Sequence, residues 1–179
     1  GLMSFLREDN LVKAVGSLDP GTIVEEANRS FPLTQDGEYF TLWVGCLDLT
    51  SYTLSYATAG HSGAFLHATT GDSQWLSSPS LPLGFDPAST FESVCTQLQP
   101  QDRLYLLSDG IYEAPSPAGE LWGRARLQAT LEGHRTRTLV HSITDTMAIA
   151  HEWLGGDIFP DDVALLGLER LEGSKSRKG

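Results

Sequence analysis

The amino-acid sequence predicts an α+β fold in which two stacked antiparallel sheets are flanked by helices. Residues 39–110 carry about six β-rich runs separated by short polar turns, a pattern typical of antiparallel hairpins. Helical patterns lie before and after this block, which favours segregated layers over a doubly wound fold. Because the strands carry apolar runs on both faces, we expect two sheets packed on each other.

Two helical patterns precede the strands. Apolar residues between positions 2 and 15 recur at helical spacing. A second helix is predicted for residues 19–31, because Asp19 is a good N-cap, Pro20 suits the first turn and Pro32 ends the helix.

The strands are predicted as three hairpins, each joined by a short polar turn. In chain order these hairpins are 39–49 with 52–60, 63–68 with 73–76, and 90–98 with 103–110. A loop rich in proline, serine and glycine, 77–87, separates the second hairpin from the third.

Helical patterns return after the strands. A short helix is predicted within 119–133, and a longer one within 136–156 that ends at two glycines. Residues 161–171 form the last predicted strand. We therefore expect one domain over residues 1–171, followed by a polar tail at 172–179.

Composition narrows the classes of protein. The chain has 179 residues, which suits one domain, and a formal net charge of −11, which argues against a nucleic-acid partner. It contains neither the ~20 apolar residues of a membrane span nor a signal peptide, so we expect a cytoplasmic protein with no membrane partner. Its two cysteines, Cys46 and Cys95, are too few for a disulfide framework and are predicted to be buried thiols.

Acidic residues interrupt two apolar strands at their ends. Asp109 and Gly110 follow the apolar run 103–108, and Asp161 and Asp162 precede the last strand. A carboxylate at the tip of a buried strand is costly to desolvate unless a cation meets it. If the two strands are neighbours, these acidic ends meet at one edge.

Such a cluster predicts a divalent metal site. Adjacent carboxylates repel each other, and a hard cation such as Mg²⁺ or Mn²⁺ relieves the conflict through oxygen ligands. Gly110 lets the backbone approach a ligand closely. The same residues also fit an ordinary Asp-Gly turn and a plain loop before a strand, so both interpretations stay open at this point.

Four short motifs in order resemble a known family. They span residues 39–168 and are Ala59-Gly60-His61 after a strand pair, Leu81-Pro82-Leu83-Gly84, Ser108-Asp109-Gly110 with Glu113-Ala114 and Trp122-Gly123, and the Asp161-Asp162 strand. This order resembles the metal-dependent protein phosphatases of type 2C (PPM), in the bacterial SpoIIE/RsbU branch.

The resemblance implies an αββα sandwich with a two-metal site at one edge. It also implies hydrolysis of phosphoserine or phosphothreonine on a partner protein, with water bridging two Mn²⁺ or Mg²⁺ ions as nucleophile and no catalytic side chain. Asp109 and Asp161 would be metal ligands, and Gly110 and Asp162 would complete the site.

Three nearby residues have alternative interpretations. His61 and Glu113 could orient a metal ligand, although His61 also fits a structural role at the Gly60 turn and Glu113 also fits a solvated loop. Ser108 is not predicted to be a nucleophile, because no Gly-x-Ser-x-Gly elbow surrounds it.

The sequence departs from the family in one respect. The family's earlier motif, an Asp-Gly followed by Gly-His-Gly, is absent, and residues 1–18 resemble the helix that follows it. The domain is therefore expected to be N-terminally incomplete. The alternative is a non-catalytic PPM-fold regulatory domain that binds a signalling partner.

The resemblance also implies a biological setting. The expected substrate is a phosphorylated protein, such as an anti-sigma-factor antagonist, in bacterial signal transduction or a stress response. The full protein is expected to carry a sensor or receiver domain upstream.

Overall fold

The computed structural model describes residues 18–33, 37, 39–156 and 158–172. The predicted helix at 2–15 and nearly all of the polar tail lie outside these residues. The elements in chain order are α1 (Pro20–Ser30), β1 (Leu42–Leu47), β2 (Thr53–Ala59), β3 (Ala64–His67), β4 (Gln74–Leu76), β5 (Val94–Gln97), β6 (Arg103–Leu107), a 3₁₀ turn (Asp109–Ile111), α2 (Arg124–Gly133), α3 (Leu139–Leu154) and β7 (Leu165–Glu169).

The chain forms two compact units, which are described separately. The first contains the described residues up to Gly63 together with Leu76–Leu98, and the second contains Ala64–Trp75 and the described residues from Gln99 onward. No helix within the described parts of the chain is long and apolar enough to cross a membrane.

Helix α1 of the first unit begins and ends where the sequence predicts. The Asp19 carboxylate accepts a hydrogen bond from the Thr22 backbone N–H (2.9 Å), and Pro20 occupies the first turn. The pKa of the Asp19 carboxyl is lowered, mostly by a hydrogen bond from the Ser93 hydroxyl and less by the one from the Thr22 N–H. The buried face of α1 includes Val24 and packs against β1 and β2.

The first sheet has the order β1-β2-β5. β1 and β2 pair antiparallel from Leu42↔Ala59 to Leu47↔Leu54, so the first predicted hairpin is confirmed. The Asp48 carboxylate holds its turn by accepting a hydrogen bond from the Thr50 N–H (2.7 Å). β5 adds antiparallel to the other side of β2.

The second sheet has the order β4-β3-β6-β7. β3 and β4 are neighbours, as the second predicted hairpin requires. β6 is a central strand and pairs antiparallel with both β3 and β7.

The third predicted hairpin, between residues 90–98 and 103–110, is wrong. β5 belongs to the first sheet, whereas β6 belongs to the second. The turn between them is held by Asp102, whose carboxylate accepts hydrogen bonds from the N–H groups of Gln99 (2.7 Å) and Thr69 (2.6 Å). The Thr69 contact ties the start of β6 to the end of β3, so the chain does not fold back along β5.

Helices α2 and α3 cover the core of the second unit. α3 matches the predicted span, with Thr138 as N-cap and Gly155 in the left-handed conformation (φ 67°) as C-cap. α2 begins at Arg124, later than predicted, because residues 115–121 form a turn closed by a bridge between Pro115 and Leu121. The core residues they bury include Phe65, Tyr105, Leu107, Ile111, Tyr112, Trp122, Leu127, Leu131 and Ala150.

The cysteines are only partly as expected. Both are free thiols, but Cys46 is half-buried and Cys95 is exposed. Cys95 lies on the exposed side of β5, an edge strand of its sheet, which explains why the apolar context around it does not bury it.

Candidate metal centre

The predicted pairing of the two acidic strands is confirmed. β6 and β7 run antiparallel up to the pair Leu107↔Leu165, so the end of β6 and the start of β7 lie at the same edge of the sheet. Asp109 comes directly after β6, and Asp161 and Asp162 lie just before β7. Antiparallel pairing therefore brings the two acidic motifs to one edge.

Ser108 joins these two motifs. Its backbone N–H donates to the Ala164 carbonyl (3.1 Å), and its hydroxyl donates to the Asp162 carbonyl (2.9 Å). The same hydroxyl oxygen accepts a hydrogen bond from the Ala164 N–H (2.8 Å). Ser108 thus extends the β6–β7 ladder by one step and fixes the backbone on both sides of the candidate site.

Gly110 lies at the point of closest approach between the two segments. It is buried, and a Cβ atom built on it would lie 2.6 Å from the Asp162 carbonyl oxygen, closer than real Cβ contacts allow. Only glycine therefore fits here without displacing the segment before β7.

The backbone of Asp109 is fixed while its side chain is free of the core. Its carbonyl accepts hydrogen bonds from the N–H groups of Tyr112 (3.0 Å) and Glu113 (2.9 Å), which form the 3₁₀ turn. Its side chain is exposed, as are those of Asp161 and Asp162. The Asp161 carboxylate accepts a hydrogen bond from the Asp162 N–H (2.7 Å).

This exposure corrects one premise of the sequence analysis. Asp109 does not end a buried strand as a desolvated carboxylate, because it is exposed at the start of the 3₁₀ turn, whereas Gly110 and Ile111 after it are buried. The case for a cation at this edge depends on the grouping of acidic residues and oxygen atoms. Across the described ranges, no group of three or more His, Cys, Asp or Glu side chains is placed to hold a metal ion.

The two residues predicted to orient a ligand, His61 and Glu113, lie in different units. Glu113 is exposed in the turn after Gly110. His61 belongs to the first unit, where its Nδ1 accepts a hydrogen bond from the Gly63 N–H (3.0 Å). A role for either residue toward a metal stays a prediction.

The Leu81–Gly84 motif has a structural role in the first unit. The Gly84 N–H donates to the Asn28 side-chain oxygen (2.7 Å), and the Asn28 amide donates to the Asp86 carbonyl (2.8 Å). Asn28 is buried, so these bonds anchor α1 to the loop.

The chain matches a known family and a known protein by sequence. A family model described as Stage II sporulation protein E (SpoIIE) matches residues 9–171. The chain is also 32% identical over 133 residues to Protein IcfG of Synechocystis sp. (strain ATCC 27184 / PCC 6803 / Kazusa), an alignment covering 74% of this chain and 21% of IcfG.

Solved structures show the same fold. The SiaA-PP2C domain of Pseudomonas aeruginosa matches with a TM-score of 0.77 and 21% identity, over 90% of this chain and 65% of that chain. The phosphatase domain of the cell fate determinant SpoIIE from Bacillus subtilis, presoaked with Mn, matches with a TM-score of 0.67 and 20% identity, over 94% of this chain and 75% of that chain.

These matches confirm the predicted fold class. The two antiparallel sheets and the three helices of the described residues match the folds of PP2C-type phosphatases. The chain spans only about a fifth of IcfG, at 21%, and 65% of the SiaA chain.

Proposed function

Because the chain belongs to the SpoIIE family and is a PP2C-type phosphatase domain, we propose that it hydrolyses phosphoserine or phosphothreonine on a partner protein with the help of divalent metal ions. The observation that carries this proposal is the edge of the second sheet, where Ser108 joins the segment of Asp109 to that of Asp161 and Asp162. The family match and the matching structures confirm the resemblance to the SpoIIE/RsbU branch of the PPM phosphatases.

The residues at this edge fit a hard divalent cation. They offer carboxylate oxygens of Asp109 and Asp161 and backbone carbonyls around Gly110 and Asp162, which are the donors that Mg²⁺ and Mn²⁺ prefer. The carboxylates are exposed, so a cation can reach them from solvent. A side chain at position 110 would overlap the Asp162 carbonyl oxygen, so glycine lets the two segments approach each other closely.

Asp109 and Asp161 would hold the metal, with Gly110 and Asp162 contributing from the backbone or the side chain. A divalent ion there supplies Lewis acidity, which polarises phosphoryl oxygens and activates water for attack. The carboxylates themselves bind and orient the ion and offset its charge. No nucleophilic side chain is required.

Ser108 is a positioning residue in this proposal. Its hydroxyl donates a hydrogen bond to the Asp162 carbonyl and accepts one from the Ala164 N–H, so it is not free to act as a nucleophile. This hydrogen bonding supports the prediction that the enzyme is not a serine hydrolase.

The net charge of the chain supports a metal-dependent mechanism. With a formal net charge of −11, the chain itself attracts a phosphorylated substrate poorly, and bound cations would supply the missing positive field. We propose that the substrate is a phosphorylated signalling protein, such as an anti-sigma-factor antagonist, in the cytoplasm. We also propose that the full protein carries a sensor or receiver domain upstream of this one.

The test is hydrolysis of p-nitrophenyl phosphate by the full-length protein with and without Mn²⁺. Asp109→Asn and Asp161→Asn should lower Mn²⁺-dependent turnover by about 100-fold or more, since even residues that only support metal ligands typically contribute 10–100-fold. Asp72→Asn is the matched control, because Asp72 is an exposed aspartate in the turn between β3 and β4.

Calorimetric titration with Mn²⁺ separates the outcomes. Loss of both Mn²⁺ binding and turnover in Asp109→Asn, with Asp72→Asn unchanged, supports the proposal. Mn²⁺ binding without turnover in the wild-type protein would favour the non-catalytic regulatory domain instead. Turnover that does not respond to Mn²⁺ or to either substitution would contradict the metal-dependent mechanism.

A further inference from the structure

The second unit has a polar cleft at the start of β6, the end opposite to Asp109. Its volume is about 340 Å³, and it is lined by residues that include Arg103, Arg135, Arg137, His67, Thr69 and Glu169. Strand geometry advances about 3.3 Å per residue, so the six steps from Arg103 to Asp109 separate this cleft from the metal edge by roughly 20 Å.

Arg103 lines this cleft and holds other lining residues in place. It is buried, and its guanidinium donates hydrogen bonds to the Glu169 carboxylate (3.1 Å), the His134 carbonyl (3.2 Å) and the Arg137 carbonyl (2.6 Å). These bonds fix the turn between α2 and α3 against the sheet. Arg103 also pairs with Glu169, so it neutralises the acidic residue of the lining.

The turn held by Arg103 presents two further arginines. Arg135 and Arg137 are exposed on it; Arg135 donates to the Ala68 carbonyl, and Arg137 makes a long ion pair with Asp145 (3.7 Å). A guanidinium carries more N–H donors than these contacts use, and its planar fork suits phosphate oxygens. Both side chains therefore keep donors for a ligand in the cleft.

His67 contributes a buried polar atom without a partner. It lines the cleft at 5% exposure, and within the described part of the chain its Nδ1 has no hydrogen-bond partner. Burial lowers the pKa of His67, and the positive charge of Arg135 lowers it further, whereas the carboxylate of Glu132 acts in the opposite direction. Because a buried nitrogen without a partner is unfavourable, a turn of the His67 ring toward a ligand oxygen in the cleft would satisfy it.

The charge of the cleft is opposite to that of the chain. Three of the chain's 12 lysines and arginines line it, although the formal net charge is −11. Helix α3, which has 16 residues, begins at Leu139, two residues after the lining residue Arg137. The positive end of its dipole therefore adds to the field that favours an anion.

We propose that this cleft binds the phosphate group of a small phosphorylated molecule. Arg135, Arg137 and His67 contact the anion, and Arg103 is a positioning residue that holds the turn. The volume lies near the lower end of the range for small-molecule sites, roughly 300–1,000 Å³, which suits a metabolite better than a peptide. The site is independent of the proposed hydrolysis and of the metal edge.

The test is titration of the 179-residue chain with inorganic phosphate, glucose 6-phosphate and adenosine monophosphate in EDTA, which removes metal ions from the other edge. Calorimetry gives the affinities, and ¹⁵N-edited spectra of the histidine rings report on His67. We expect saturable binding, a shift of the His67 ring nitrogens, and an affinity lower by roughly tenfold in Arg135→Gln and in Arg137→Gln, because each removes a charge-assisted hydrogen bond. The relative affinities of the three probes show whether the cleft prefers free phosphate, a sugar phosphate or a nucleotide.

Two variants serve as controls. Arg29→Gln removes one positive charge from an exposed ion pair with Glu26 on α1 and should leave the affinity unchanged. Asp109→Asn alters the metal edge and should also leave it unchanged. Equal phosphate affinity in Arg135→Gln, Arg137→Gln and the wild-type chain, or a His67 ring that does not respond to any of the three probes, would overturn the proposal.

Discussion

The two ends of strand β6 are held in place by different kinds of contact. At the end near Asp109, backbone hydrogen bonds and the Ser108 hydroxyl join β6 to the segment before β7, and the carboxylates stay in solvent. At the start of the strand, a charged side chain makes the contacts, because the buried Arg103 guanidinium donates hydrogen bonds to three acceptors. Removing the Asp109 charge should therefore affect metal binding, whereas removing the Arg103 charge should affect stability.

The largest expected effect on stability is at Arg103. Arg103→Met should lower the free energy of unfolding by about 2–4 kcal/mol, because it leaves the half-buried Glu169 carboxylate and two backbone carbonyls without their donor. Urea denaturation measures this change. Arg29→Met, in an exposed pair, should cost no more than about 0.5 kcal/mol; equal losses in the two variants would remove the contrast between the two ends.

Gly110→Ala should be next in size. The added Cβ would overlap the Asp162 carbonyl oxygen, and such overpacking costs about 1–3 kcal/mol. Gly133→Ala is the matched control: a Cβ there meets no atom of the described residues within 4 Å, and alanine should be neutral or stabilise α2 by up to about 1 kcal/mol. The midpoint of thermal unfolding should therefore fall in Gly110→Ala and should stay the same or rise in Gly133→Ala.

Ser108→Ala should lower both the free energy of unfolding and the affinity for Mn²⁺. Loss of the hydrogen bonds to the Asp162 carbonyl and from the Ala164 N–H should cost about 1–2 kcal/mol. Mn²⁺ affinity should fall with it, because the two acidic segments lose their link. Ser108→Thr keeps the hydroxyl and should recover most of both quantities; recovery of neither would show that the hydroxyl is not the link.

The smallest expected effect is the pH dependence contributed by His67. Burial lowers its folded-state pKa below the unfolded value of about 6.5, with Arg135 and Arg103 acting in the same direction and Glu132 and Asp102 opposing them. The neutral form is therefore favoured in the folded state. The stability linked to this histidine is fully present above about pH 6.5 and is lost as the pH falls through the folded-state pKa.

Urea denaturation between pH 8 and pH 5 measures this loss, and His67→Gln should reduce it. A stability profile with the same slope in both proteins would contradict the assignment of that slope to His67.

Features with local signals could be predicted from the sequence. The start of α1 follows from Asp19 and Pro20, and the end of α3 follows from Gly155, because a cap needs only its nearest neighbours. The acidic edge was predictable from Asp109 and Asp161, since both directly adjoin strand patterns.

Features that depend on distant partners could not be predicted in the same way. The third hairpin is wrong because the choice of strand partner at Asp102 depends on Thr69, which lies 33 residues away in the chain. The role of Ser108 depends on Asp162, 54 residues away, and no local pattern around either residue signals it. The exposure of Asp109 also depends on how the end of β6 packs, which the sequence pattern around it does not show.

The location of Mn²⁺ on the chain tests the proposed metal site most directly. Substoichiometric Mn²⁺ broadens the amide resonances of nearby residues in ¹⁵N-edited spectra. We predict that Gly110, Asp161 and Asp162 broaden first, that the residues around Arg103 respond later, and that Asp109→Asn abolishes the effect while the protein stays folded. Broadening that starts elsewhere, or that is the same in Asp109→Asn, would contradict the assignment of the metal to this edge.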